Sequence, residues 1–137
     1  MANLSEPMPA WQLAWRQGIA PNLSDRALQA LKKALEIDDR TLIQGASTQP
    51  PPLQAVQDWP VEAACAISFA GWKGESLQTV ADVEEFFARV CYEADQALGE
   101  PSAARFFINW FDESPRQEMR AELLAEVKLT LAQREAP

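Results

Sequence analysis

Residues 79–99 read TVADVEEFFARVCYEADQALG, and this stretch decides the fold class. Val83, Phe86, Phe87, Val90, Cys91, Ala94 and Leu98 recur at intervals of three and four, the spacing that gathers side chains on one face of an α-helix. Glu84, Glu85, Arg89, Glu93 and Gln96 fall on the opposite side, where solvent is expected. Thr79 with Asp82 fits a capping-box pattern, an aspartate standing where glutamate or glutamine is usual. Gly99 follows the last apolar position, where a left-handed residue closes a helix.

Downstream, Pro101 opens a helix carrying Phe106, Phe107, Ile108, Trp110 and Phe111. Apolar residues nearly encircle it, which predicts a central, buried helix. Its one polar stripe is Ser102, Arg105, Asn109 and Asp112. Ser114, Pro115 and Gln117 mark the next start as a cap, a first-turn proline and a capping-box partner. Met119, Leu123, Leu124, Val127 and Leu131 form that helix's core face, and Glu118, Glu122 and Glu126 line up as an acidic ridge. Lys128 and Arg134 lie toward the negative end of its dipole.

Upstream, a helix is predicted from Pro9 to Gln17, with Trp11 and Trp15 on one face, Gly18 at the left-handed end and Pro21 as the stop. The second helix starts at Ser24, with Asp25 near the positive end of the dipole and Leu23 and Leu28 placed as a hydrophobic staple. Ala27, Leu28, Leu31 and Leu35 give its apolar stripe. A short helical turn over 39–44 follows.

Residues 46–57 read as an irregular, Pro-rich connector, stiffened by Pro50, Pro51 and Pro52. Residues 61–70 fit both periods: Val61, Ala63, Cys65, Ile67 and Phe69 alternate as in a strand, whereas the alanine content tips the segment toward helix. Gly71, Trp72, Lys73 and Gly74 read as a glycine-hinged loop carrying an aromatic ring and a cation. The prediction is an all-α, compact multihelical bundle of about five or six helices with a Pro-rich connector. It forms a single domain over 1–137, with 1–8 as a flexible lead.

Composition narrows the function. A chain of 137 residues with 47% hydrophobic content can bury a core without metals or disulfides. A net charge of −8 disfavours nucleic acid and anionic membranes, because both are bound through Lys and Arg. Met1 to Pro9 lacks Lys and Arg, unlike a targeting signal, and no apolar run reaches the roughly 18 residues of a membrane span. Cys65 and Cys91 lie in apolar surroundings, as reduced buried thiols do, so a cytoplasmic location is expected. The chain has no histidine, which removes the usual general base, the Ser-His and Cys-His dyads and most zinc sites. No glycine motif for nucleotides occurs, so no cofactor, metal or catalytic residue is assigned. Glu84, Glu85, Glu93 and Asp95 fall on solvated helix faces, and Cys91 lies within an apolar stripe.

Tryptophan is the unusual residue, with five in the chain, and it is enriched at binding hot spots. Trp110 belongs to the core and Trp59 packs the connector. Trp11 and Trp15 either pin their helix to the domain or dock on a partner, which could be a second copy. Trp72, beside Lys73, either anchors an interface or plugs the region of Cys65 and Phe69. Arg105, with Asn109 and Asp112, is placed for an internal ion pair or an acidic ligand. The first functional expectation is therefore a non-enzymatic protein–protein interaction module (an adaptor, assembly factor or regulator). The alternatives are a bundle binding a small molecule or pigment, with Arg105 holding an anionic group, and a carboxylate-dependent enzyme.

Overall fold

The computed structural model describes residues 7–46, 48 and 59–136. The first six residues of the predicted lead and the Pro50–Pro52 run lie outside the described residues. Among those described, six helices form and no strand does, which is the predicted all-α fold.

Helix α1 (Ala10–Ala14) runs without a break into a π-helical turn, Trp15–Ile19, and then a 3-10 turn, Ala20–Asn22. It thus outlasts its predicted end at Gln17. Gly18 is not a left-handed stop: a Cβ there would sit 2.8 Å from the Ala94 Cβ, so the glycine serves close approach to another helix. Helix α2 (Asp25–Ile37) starts as read, the Ser24 hydroxyl accepting from the Ala27 N–H at 3.1 Å, with Leu23 and Leu28 both buried. Leu28, Leu31 and Leu35 are fully enclosed, each contributing about 1.5–3 kcal/mol of apolar transfer. Its end uses Asp38 in the left-handed region (φ 55°), held by Arg116 at 2.8 Å and Arg40 at 3.0 Å. Arg120 and Arg116 also donate to the Leu35 and Asp39 carbonyls, so the last helix caps the second.

The predicted turn of helix over 39–44 is absent. Asp39 instead accepts from the Thr41 backbone and hydroxyl, and this local ring competes with helix. The ambiguous segment 61–70 divides between its two readings. Its first half is extended, with Val61 N–H donating to the Gln78 carbonyl and Ala64 N–H to the Thr41 carbonyl. Helix α3 (Ala66–Phe69) takes over at Ala66 and continues as a second π-helical turn, Ala70–Gly74.

The glycine-hinged loop is therefore a helical turn inside the bundle. A Cβ on Gly71 would meet the Phe86 ring at 2.7 Å, and one on Gly74 would meet the Ala27 Cα at 2.3 Å. The two glycines let α3 lie against α4 (Val80–Leu98) on one side and α2 on the other.

Helix α4 has the predicted limits, with Thr79 accepting from the Asp82 N–H and Gly99 left-handed at φ 65°. Helix α5 (Ala104–Glu113) begins three residues after Pro101, and its core face is narrower than predicted. Ala104, Phe107 and Phe111 are buried, but Phe106 is 46% exposed. The Asp95 carboxylate caps it from α4, accepting from the Ser102 and Ala104 N–H groups at 3.1 and 2.8 Å. Helix α6 (Arg116–Glu135) lacks the predicted serine cap. The Ser114 hydroxyl donates backward to the Trp110 carbonyl at 2.6 Å, closing α5 instead.

The acidic ridge of α6 is broken. Glu118 and Glu122 are exposed, but Glu126 is only 4% exposed and receives two bonds from Arg16, both at 2.8 Å, and one from Gln12 at 3.1 Å. The bond from Arg16 raises the pKa of its guanidinium, which stays charged. This cluster fastens α1 to α6. On its other side α1 is fastened to α5 by parallel stacking of Trp11 on Trp110, with ring centres 3.6 Å apart and planes within 3°. None of the described helices is long and apolar enough to cross a membrane.

Candidate functional site

Trp11 and Trp15 are used inside the fold. Trp11 is covered by its stack with Trp110, and Trp15 is fully buried against Phe107, with ring centres 5.4 Å apart. Neither ring forms an accessible face for a partner. Trp72 is half-buried and set edge-on to Phe69 at 5.7 Å, and the Lys73 ammonium lies 4.1 Å from the centre of its ring. Trp72 thus plugs the Phe69 side of the core, and the cation–π contact occupies Lys73 locally. Trp59 also packs on the core.

The polar stripe of α5 leads elsewhere. Asp112 does not pair with Arg105; it accepts from the Gly45 N–H at 2.9 Å. Gln44, beside Gly45, donates through Nε2 to the Phe111 and Ser114 carbonyls at 2.7 and 2.8 Å. Thr48 donates to Glu84 on α4 at 2.8 Å. Gln44 and Gly45 are in this way held against the end of α5, and Thr48 against α4. Leu42 and Thr48 both pair with the backbone of one residue, Ala64. Asn109 is exposed, as is Arg105, which makes no ion pair among the described residues.

Ala46, Cys65, Phe87, Phe107, Ile108 and Phe111, with Asp112, line a mostly apolar cavity of about 30 Å³. Phe87 and Cys91 on α4 and Ile108 on α5 are half-exposed. Tyr92, next to Cys91, is 60% exposed. The Arg105 guanidinium lies close enough to Cys91 to act electrostatically on its thiol.

Burial pushes the Cys65 thiol up to about 11 and the Cys91 thiol up to about 12, so both stay protonated near neutrality and neither is an activated nucleophile. Of the four acidic side chains singled out in the sequence, Glu84 holds Thr48, Asp95 caps α5, and Glu85 and Glu93 are exposed. No group of three or more metal-ligating side chains occurs among the described residues. The Asp112 carboxylate thus serves the Gly45 N–H rather than the Arg105 of its own stripe, a pairing the spacing on α5 does not indicate. Gly45 lies at φ 97°, a backbone state that favours glycine. No known protein family, curated protein or solved structure matches the chain.

Proposed function

We propose that the chain is a non-enzymatic interaction module that engages a protein partner through the α4–α5 seam. The observation that supports this reading is the set of accessible side chains on the two helices: half-exposed Phe87, Cys91 and Ile108, exposed Tyr92 following Cys91 on α4, and an Arg105 charge with no ion pair among the described residues. Tyrosine and arginine around an apolar centre are the residue types that dominate binding energy at interfaces. Arg105 would favour an acidic residue on the partner, and the two reduced thiols suit a cytoplasmic setting. The role of adaptor, assembly factor or regulator follows from whichever partner binds.

The test places a photo-crosslinking amino acid at Tyr92 and, as a control, at Gln133 on α6. A partner captured through position 92, absent at 133 and lost with Arg105→Glu, is the expected result. Equal capture at both positions, or capture indifferent to Arg105→Glu, would rule the seam out. A homodimer cross-linked through position 92 would make the partner a second copy.

A second reading, a bundle that binds a small molecule or pigment, draws on the apolar cavity. At about 30 Å³ the cavity holds little more than one water-sized group, so a pigment would require it to widen. A screen of anionic amphiphiles by melting temperature tests it, and a flat response across the set would remove it.

A further inference from the structure

Three of the chain's eight arginines gather around one carboxylate at the junction of α2 and α6. The Asp38 oxygens lie 2.8 Å from Arg116 Nε, 3.0 Å from Arg40 Nη2 and 3.6 Å from Arg120 Nε. Two of these guanidiniums close the negative end of α2. Arg120 donates to the Leu35 and Glu36 carbonyls, and Arg116 donates to the Asp39 carbonyl. Arg40 has no such task. Its side chain is 76% exposed, and its one ion pair is with a carboxylate that Arg116 already holds. A third guanidinium there is repelled by the other two, and an exposed ion pair returns little stability.

The charges at the junction do not balance. The three guanidiniums and the Lys73 ammonium, which acts electrostatically on Asp39, stand against the Asp38 and Asp39 carboxylates. Four positive charges against two negative ones leave a surplus of two, in a chain whose net charge is −8. Donors are also left over. The Nη1 groups of all three arginines, and Nε of Arg40, make no hydrogen bond among the described residues. Arg120 further lines an open groove of about 300 Å³ between α2 and α6, where Leu35, Ala121 and Leu124 supply apolar wall and Glu36 supplies a carboxylate.

We propose that the Arg40, Arg116 and Arg120 cluster binds the dianionic phosphoryl group of a phosphate monoester, whose uncharged organic part lies in the groove beside Arg120. Guanidinium N–H groups match phosphate oxygens in planar pairs, and the surplus of two charges equals that of the dianion. Glu36 disfavours a second anionic group in the groove. The site shares no residue with the α4–α5 surface, so either can fail while the other stands.

The experiment titrates the full chain with phenyl phosphate, inorganic phosphate and phenyl sulfate at matched ionic strength, and follows backbone-amide and arginine side-chain NMR signals. Saturable shifts are expected at the side chains of Arg40, Arg116 and Arg120 and at the amides of residues 38–41. Phenyl phosphate should bind most tightly, because phenyl sulfate lacks the second charge and inorganic phosphate lacks the hydrocarbon. Arg40→Gln should weaken binding by about three- to tenfold, the equivalent of a net hydrogen bond, while the urea midpoint hardly moves. Absence of a saturable shift with either phosphate, an equal response to phenyl sulfate, or an affinity unchanged in Arg40→Gln would overturn the phosphate site. Equal affinities for phenyl phosphate and inorganic phosphate would overturn the part given to the groove. Competition by a phosphoserine peptide then identifies the source. Displacement at a lower concentration than phenyl phosphate supports a monoester carried on a protein, and displacement only at a higher one supports a small molecule.

Discussion

At Gly74 there is no room for a methyl group, because the obstructing atom is the Ala27 backbone rather than a side chain that could turn away. Gly74→Ala should therefore cost about 3 kcal/mol or more, at the upper end of overpacking effects, read as a lowered urea midpoint. Gly99 is the contrasting case: it is left-handed with nothing within 4 Å, so Gly99→Ala should cost only about 1 kcal/mol. Equal losses at the two glycines would refute the close-approach reading of Gly74. Glu126 carries a different dependence. Arg16→Met leaves a buried carboxylate with only Gln12, whereas Arg16→Met/Glu126→Met removes both charges. The double variant should be more stable than the single Arg16→Met by about 1–3 kcal/mol in chemical denaturation. The half-exposed position of Arg16 keeps the figure below that of a fully buried pair.

At the scale of elements, α5 depends on a cap borrowed from α4. Asp95→Ala should cost about 1 kcal/mol and speed hydrogen exchange at the Ser102 and Ala104 amides, with α6 unaffected. The helices the sequence marked most clearly were those whose signals are local. Ser24, Thr79 and Gly99 all act within a few residues of themselves, and all three sit in the caps predicted. What could not be read were decisions made between elements. Gly18, Gly71 and Gly74 resemble helix stops in sequence, but they are contact points whose partners lie far along the chain. Ser114 could cap either of two adjoining helices, and sequence alone does not choose. Glu126 sits in register with two solvated glutamates and is set apart only by the approach of Arg16. The α5 stripe is visible in the sequence, but the contacts of Gln44 and Gly45 with it are not, because those two residues acquire their roles only from the carbonyls and carboxylate of α5.

For the whole molecule, the two thiols give stability an alkaline limit. Their folded pKa values lie above the ordinary value of 9.0, so the contribution is complete below pH 9 and fades as pH rises toward about 11 for Cys65 and about 12 for Cys91. Unfolding free energy should thus fall through this window, and Cys65→Ala/Cys91→Ala should flatten the decline, as measured by urea titrations at successive pH values. The carboxylates act at the acid end. Asp38 is held below the usual range mainly by the Arg116 bond, and Asp39 mainly by the Thr41 hydroxyl. Their stabilisation is present above the ordinary value near 3.8 and is lost as pH falls through the depressed folded values, so the α2–α6 junction should loosen in acid.

The stack of Trp11 on Trp110 has an optical consequence. Two indoles held face to face couple their electronic transitions, so the folded chain should show an exciton signal in circular dichroism that either Trp→Phe replacement abolishes. Because the two rings belong to α1 and α5, that signal is a gauge of whether the first helix is seated, written into the protein without any added dye.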